Sequence, residues 1–248
     1  KHPSGDTDTA RSLPIRQKSG TEMTFYIEDE SDLLELVQRN ALEFHPWGAR
    51  IDEPELPDRL VFDLDPGEGV AWGDVIRAAF DLREGLERIE LESFVRLSRG
   101  KGLHVVVPIA RGPRWDEVQN LCEAFSLAMA TEQPTKFVAT MSKAKRPQKI
   151  FIDWLRNGRG STSVTGWSLR ARPGAPVAMP LEWEELEGTR SSLHFSLADA
   201  MKRCVELERD PFERLRAVEQ SLPSWGSNGD DASVGKASKP RKSKALRR

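Results

Sequence analysis

The sequence predicts an α+β fold in which a mixed or antiparallel sheet is flanked by helices, and three observations carry the prediction. β-forming runs alternate with stretches whose apolar residues recur at helical spacing. Two of these runs, 93–97 and 103–109, are joined by the short turn SRGKG, which suits a hairpin. Two others, RLVFDLD at 59–65 and KIFIDWL at 149–155, both carry carboxylates and can lie side by side in one sheet.

Along the chain, MTFYI at 23–27 reads as a strand, and 31–39 as a short helix with Ser31 as N-cap and Leu33, Leu34 and Val37 as its apolar residues. Pro66 and Gly67 close the strand at 59–65. Residues 72–86 then place Val75, Ile76, Ala79, Phe80, Leu82 and Leu86 at helical spacing. After the hairpin, 115–130 reads as a second amphipathic helix, and 149–155 returns to strand. RPGAPVAMP at 172–180 reads as a proline-rich loop, LEWEEL at 181–186 as a short helix, and 197–215 as helical. From Ser221 onward Gly, Ser, Asp and Lys dominate, and the last 13 residues hold seven Lys or Arg. The expected division is therefore a folded domain over 1–220 and a disordered basic tail over 221–248, the tail adding non-specific attraction to phosphates.

The 248 residues, 38% hydrophobic and 31% charged, allow one large domain or two small ones. Apolar runs such as 105–109 fall far short of the roughly 20 residues that span a bilayer. The opening KHPSGDTDTARSLP has no apolar signal region. It begins with Lys rather than Met, so an upstream segment is expected. Cys122 sits in the apolar helical pattern LCEAFSLAM, and with Cys204 as the sole other cysteine a disulfide framework is not credible. The four histidines lack zinc-site spacing, which leaves carboxylates to hold any metal and favours magnesium or manganese.

The net charge of −2 conceals a basic run. Between 136 and 172 lie Lys136, Lys143, Lys145, Arg146, Lys149, Arg156, Arg159, Arg170 and Arg172 against one acid, Asp153. In VFDLDPG, Asp63 and Asp65 stand two apart on a strand, so their side chains leave one face while Leu64 leaves the other. Carboxylates held that close repel unless a cation separates them. Asp153, in an apolar strand of its own, completes a set able to hold two metal ions for an in-line displacement. Ser98, Gly100, Lys101 and Gly102 form a small basic turn whose backbone N–H groups can approach phosphates, although taken alone it reads more readily as a plain hairpin turn. His104 follows on the strand, on the face of Val106. Arg146, Arg156, Arg170 and Arg172 bracket Asp153, and guanidinium forks suit triphosphate oxygens.

FDLDPG, SRGKGLHVVVP, IFIDWLRNGRGST and SLRARPGAPV, in this order, resemble the polymerase domain of bacterial DNA ligase D, and LEFHPW at 42–47 resembles that family's histidine motif. The resemblance covers about 20–220. It implies a primase-like catalytic core of archaeo-eukaryotic type, with Asp63, Asp65 and Asp153 as ligands of two divalent cations, manganese or magnesium. His45, Ser98, Lys101, His104, Arg146, Arg156, Arg170 and Arg172 would line the nucleotide. The implied activity is addition of ribo- or deoxyribonucleotides to 5′-phosphorylated DNA ends in non-homologous end joining, beside a ligase domain and Ku, in the cytoplasm or nucleoid. Arg99 replaces a usual Gly, and Trp154 and Trp167 replace common Tyr residues. The family domain also usually begins several tens of residues earlier, with a base-stacking aromatic pair and phosphate-holding lysines; Lys1-His2 resembles the end of that segment.

Two other readings compete. VFDLDPG resembles the nucleophile strand of haloacid-dehalogenase-type phosphatases, but no downstream paired-acid motif follows. A DNA-end-binding module of weak catalytic power fits the basic run and tail.

Overall fold

The structure is a computed structural model that describes residues 10–17, 20–98 and 100–223. Its centre is a six-stranded mixed sheet. The strands are β3 (Arg59–Pro66), β4 (Phe94–Leu97), β5 (Leu103–Pro108), β6 (Phe137–Val138), β7 (Ile150–Asp153) and β8 (Met179–Leu181), in the spatial order β6-β7-β3-β5-β4-β8. All neighbours are antiparallel except β6 and β7. A separate two-stranded hairpin, β1 (Ser12–Gln17) with β2 (Gly20–Phe25), precedes α1 (Glu30–Gln38).

Strand alternation divides the sheet into two unlike faces. Leu60, Phe62 and Leu64 of β3, Leu103, Val105 and Val107 of β5, Val95 and Leu97 of β4, and Ile150 and Ile152 of β7 form one buried apolar layer. Two helices complete that core: α2 (Trp72–Glu87), through Val75, Ala79, Leu82 and Leu86, and α3 (Trp115–Glu132), through Val118, Leu121, Cys122 and Phe125. The apolar periodicity read in the sequence is the stripe each helix buries. Residues of the opposite parity, among them Asp63, His104, Arg96 and Asp153, leave the other face.

The hairpin of β4 and β5 and the adjacency of β3 and β7 match the sequence expectation. Other elements differ. The first helix is capped by Asp29, whose carboxylate accepts from the backbone N–H groups of Ser31 and Asp32, so Ser31 lies inside the helix. The strand expected at 23–27 is β2 and ends at Phe25; its partner β1, SLPIRQ, lacks the alternation that betrays a strand. Within the proline-rich stretch, β8 pairs with β4 at the sheet edge, where Pro180 is tolerated. The helix expected over 197–215 is α5 (Leu197–Glu206); it stops short of Pro211, and a 3-10 turn follows at Glu213–Arg216. The short α4 (Trp183–Leu186) falls where LEWEEL predicted it. The basic tail from 224, Lys1-His2 and Arg99 lie outside the described residues.

Two glycines let the backbone close around the acidic end of β3. A Cβ on Gly102 would sit 1.7 Å from the Leu64 carbonyl oxygen, and one on Gly67 would sit 1.9 Å from that of Arg146. Glycine is therefore required at both places for steric reasons.

Candidate active site

Strand pairing builds the site. Asp153, Asp63, His104 and Arg96 are successive cross-strand partners on β7, β3, β5 and β4. Directly paired residues share a face, so these four side chains form a row across the sheet. Asp65 lies two residues beyond Asp63 and pairs with Phe151, on the same face. One carboxylate oxygen from each of Asp63, Asp65 and Asp153 lies within 4.8 Å of the others.

The electrostatics test whether a cation fits here. Burial, then the charges of Asp63 and Asp153, push the Asp65 carboxyl up to about 6. Burial also raises Asp153, with Arg156 opposing and Asp63 reinforcing it. Asp63 is likewise penalised by burial, but its contact with His104 and the charges of Arg156 and Arg96 hold it below the ordinary carboxylate range. Three carboxylates this close, one of them holding its proton up to about pH 6, suit a divalent cation bound by oxygen ligands.

Basic groups surround the triad. Arg156, in the 3-10 turn after β7, places Nε 3.3 Å from Asp153 Oδ2 and Nη2 3.5 Å from Asp63 Oδ2. His104 Nε2 lies 3.4 Å from Asp63 Oδ2. Arg146 lays its guanidinium 3.8 Å above the Phe151 ring, beside Asp65, and donates to the Met141 carbonyl at 3.2 Å. Its buried Nε has no protein partner.

His45 and Arg170 meet through an acid that the sequence reading did not single out. Glu43 Oε2 lies 2.8 Å from His45 Nε2 and 3.6 Å from Arg170 Nε, and its Oε1 accepts from the Ala171 N–H at 2.5 Å. Ser98 closes its own turn, donating to the Gly102 carbonyl at 3.1 Å and accepting from the Gly100 N–H at 3.4 Å. Lys101 and Arg172 are exposed. The basic run is thus divided: Arg156 and Arg146 flank the acids, Lys136 pairs with Asp81, and Arg159 pairs with Glu55 at 2.5 Å.

Two further residues escaped the sequence reading. Arg96, 4% exposed, donates to His104 Nδ1 from both Nε (3.2 Å) and Nη2 (3.1 Å). Asn157 exchanges two hydrogen bonds with the Val61 backbone, Oδ1 accepting from its N–H at 2.7 Å and Nδ2 donating to its carbonyl at 2.9 Å. Asn157 also donates to the Trp154 carbonyl, which ties the turn carrying Arg156 back to β3. Signal for Glu43 existed in its spacing from His45; Arg96 and Asn157 needed the strand register. Each unusual tryptophan uses its indole N–H, Trp154 towards the Ala139 carbonyl at 3.1 Å and Trp167 towards Asp210 at 2.6 Å.

A mixed sheet that gathers three carboxylates from two strands, close enough together that they could hold a metal ion, and sets arginines beside them is an arrangement suited to phosphate chemistry. The family model of the LigD primase-polymerase domain matches residues 1–212, and the chain belongs to this family. It is 37% identical over 184 residues to the multifunctional non-homologous end joining protein LigD of Pseudomonas aeruginosa, covering 74% of this chain and 22% of that protein. Identity to the LigD of Mycobacterium tuberculosis strain H37Rv is 33% over 211 residues, covering 82% of this chain and 28% of the relative. The chain therefore spans about a quarter of the length of these relatives. Among solved structures, the polymerase domain of Mycobacterium tuberculosis ligase D in complex with DNA superposes with a TM-score of 0.78 at 30% identity, over 84% of this chain and 75% of that one. The expected primase-like α+β core is therefore borne out, and the phosphatase reading falls away.

Proposed function

We propose that this chain is a metal-dependent nucleotidyltransferase that adds nucleotides to DNA ends during non-homologous end joining. The observation that carries the reading is the convergence of Asp63, Asp65 and Asp153. Two divalent cations, manganese or magnesium, would be held by these carboxylates and would supply Lewis-acid stabilisation of the reacting phosphate. Arg146 and Arg156 flank the acids and accept the negative charge of a triphosphate. Arg170, held with His45 by Glu43, extends that basic surface, with Arg172, Lys101, Ser98 and His104 completing the nucleotide-binding set. The substrates are NTP or dNTP and a DNA end bearing a 5′-phosphate; the DNA-bound relative supports a DNA substrate. Ku and a ligase domain are the proposed partners, supported by the relatives' names as end-joining proteins. The folded unit is assigned to 1–220, with 221–248 as a basic tail. Among the described residues no helix is long and apolar enough to cross a membrane, and the proposed place of action is the cytoplasm, at the nucleoid.

The test is extension of a primer on a 5′-phosphorylated gapped duplex with manganese and each nucleotide type. Asp63→Ala is expected to reduce incorporation by about a thousandfold, with circular dichroism and DNA affinity retained. Incorporation unchanged by Asp63→Ala overturns the assignment. DNA binding without incorporation by the wild-type chain would instead favour an end-binding module.

A further inference from the structure

Arg96 has no carboxylate within ion-pair distance among the described residues, which is unusual for a buried guanidinium. Its side chain spends two donors on one acceptor, His104 Nδ1, and Nη2 also donates to Ser163 Oγ at 3.1 Å. Arginine does not give up its proton in proteins and has no acceptor to offer. An imidazole nitrogen that faces two guanidinium N–H groups must present a lone pair, because a proton there would point at protons. The only position left for the proton of His104 is Nε2, which lies against Asp63 Oδ2 at 3.4 Å. The strand register fixes this order, since Arg96, His104 and Asp63 are consecutive partners across β4, β5 and β3.

We propose that Arg96 is a positioning residue that locks His104 as the neutral tautomer protonated on Nε2, so that His104 faces the acidic centre as a hydrogen-bond donor. This narrows the part His104 plays in nucleotide contact to that of a donor. With its Nδ1 lone pair taken by Arg96 and its Nε2 occupied by a proton, His104 is neither a ligand of a cation nor a base for the attacking hydroxyl. It holds the Asp63 carboxylate in place and offers the same N–H to a phosphate oxygen that approaches Asp63. Only the consequence for nucleotide addition rests on the proposed function; the tautomer itself follows from the arrangement of side chains.

The test reads the imidazole directly. The chain has four histidines, so two-bond proton–nitrogen correlation spectra of protein labelled with ¹⁵N-histidine separate them, and a His104→Gln variant assigns the His104 signals. Metal-free wild-type protein at neutral pH should show His104 protonated on Nε2 alone. Arg96→Met, which removes the donors but keeps the bulk, should release the ring into a mixture of tautomers or into the Nδ1-protonated form. Arg96→Lys, which retains a cationic donor, should restore the Nε2 pattern. The methionine variant avoids leaving a charge stranded, and a cooperative melt confirms that it is folded. In primer extension, Arg96→Met should lower kcat on the order of tenfold with little change in KM for DNA, and Arg96→Lys should recover part of the loss. A wild-type His104 protonated on Nδ1, or a methionine variant that keeps the wild-type pattern, overturns the proposal. If the wild-type chain adds no nucleotides yet the spectra behave as expected, the tautomer lock stands and the functional reading fails.

Discussion

The acidic centre and the N-terminal unit of hairpin and first helix are determined to very different degrees. Around Asp63, strand β3 is paired on both sides, its apolar face is sealed by α2 and α3, and every neighbour has a fixed register. The N-terminal unit has a small core of its own, Ala10, Leu36 and Ala41 with Phe25 and Phe44 against it, while Leu33, Leu34 and Val37 of α1 remain exposed. A broad cleft lined by Phe25, Leu33, Phe44, His45, Trp47 and Arg159 runs along this unit. The difference teaches that the groups for chemistry are placed by the sheet, where a shift of one residue would turn Asp63 and Asp65 into the core. The groups nearer the cleft are placed by loops and single ion pairs.

Equivalent truncations in the two regions sharpen that contrast. Phe62→Ala, in the sheet core against Phe125, should destabilise by about 3–5 kcal/mol, seen as a large fall in the denaturant midpoint. Leu36→Ala, in the small cluster, should cost roughly 1–2 kcal/mol, because a thin cluster can collapse around the lost volume. Equal costs would dissolve the distinction between the regions.

A charge test follows at smaller scale. The Asp65 carboxyl is raised to about 6 from its ordinary 3.8, so the metal-free folded state holds its proton up to about pH 6. Its ionised form weighs against folding in full above pH 6, and the penalty disappears as the pH falls through that window to below 4. Asp65→Asn should therefore stabilise metal-free protein at pH 8 by about 1 kcal/mol, a value discounted for partial exposure. The gain should vanish near pH 3.5 in thermal melts of both proteins, and magnesium should cancel or reverse it at pH 8. A variant that destabilises the metal-free protein at pH 8 would contradict the repulsion described here. The smallest effect is expected at the exposed face of α1, where Leu34→Ser should change stability by under about 0.5 kcal/mol.

How much of this was legible in sequence follows the same division. Alternation over RLVFDLD is enough to put Asp63 and Asp65 on one face opposite Phe62 and Leu64, and an apolar strand around Asp153 marks its likeness to the first. The helices α2 and α3 were legible because their periodicity is the stripe they bury. Strand β8 was hidden by prolines that only an edge position excuses, and β1 by the absence of any alternation in SLPIRQ. Nothing in the run FVRL by itself singles out Arg96. Its role depends on which residue of β5 stands opposite, and pairing register is a property of two strands, not of either alone.

Asn157 carries a consequence for assembly. Strand β7 covers β3 only from Asp63 onward, so the backbone at Val61 would offer an open donor and acceptor on that side. The side-chain amide of Asn157 fills both, as one residue of a neighbouring strand would. An intruding peptide therefore finds no free donor or acceptor at Val61, on the stretch of β3 next to the acids, so one side chain does there what edge protection by a further strand would do.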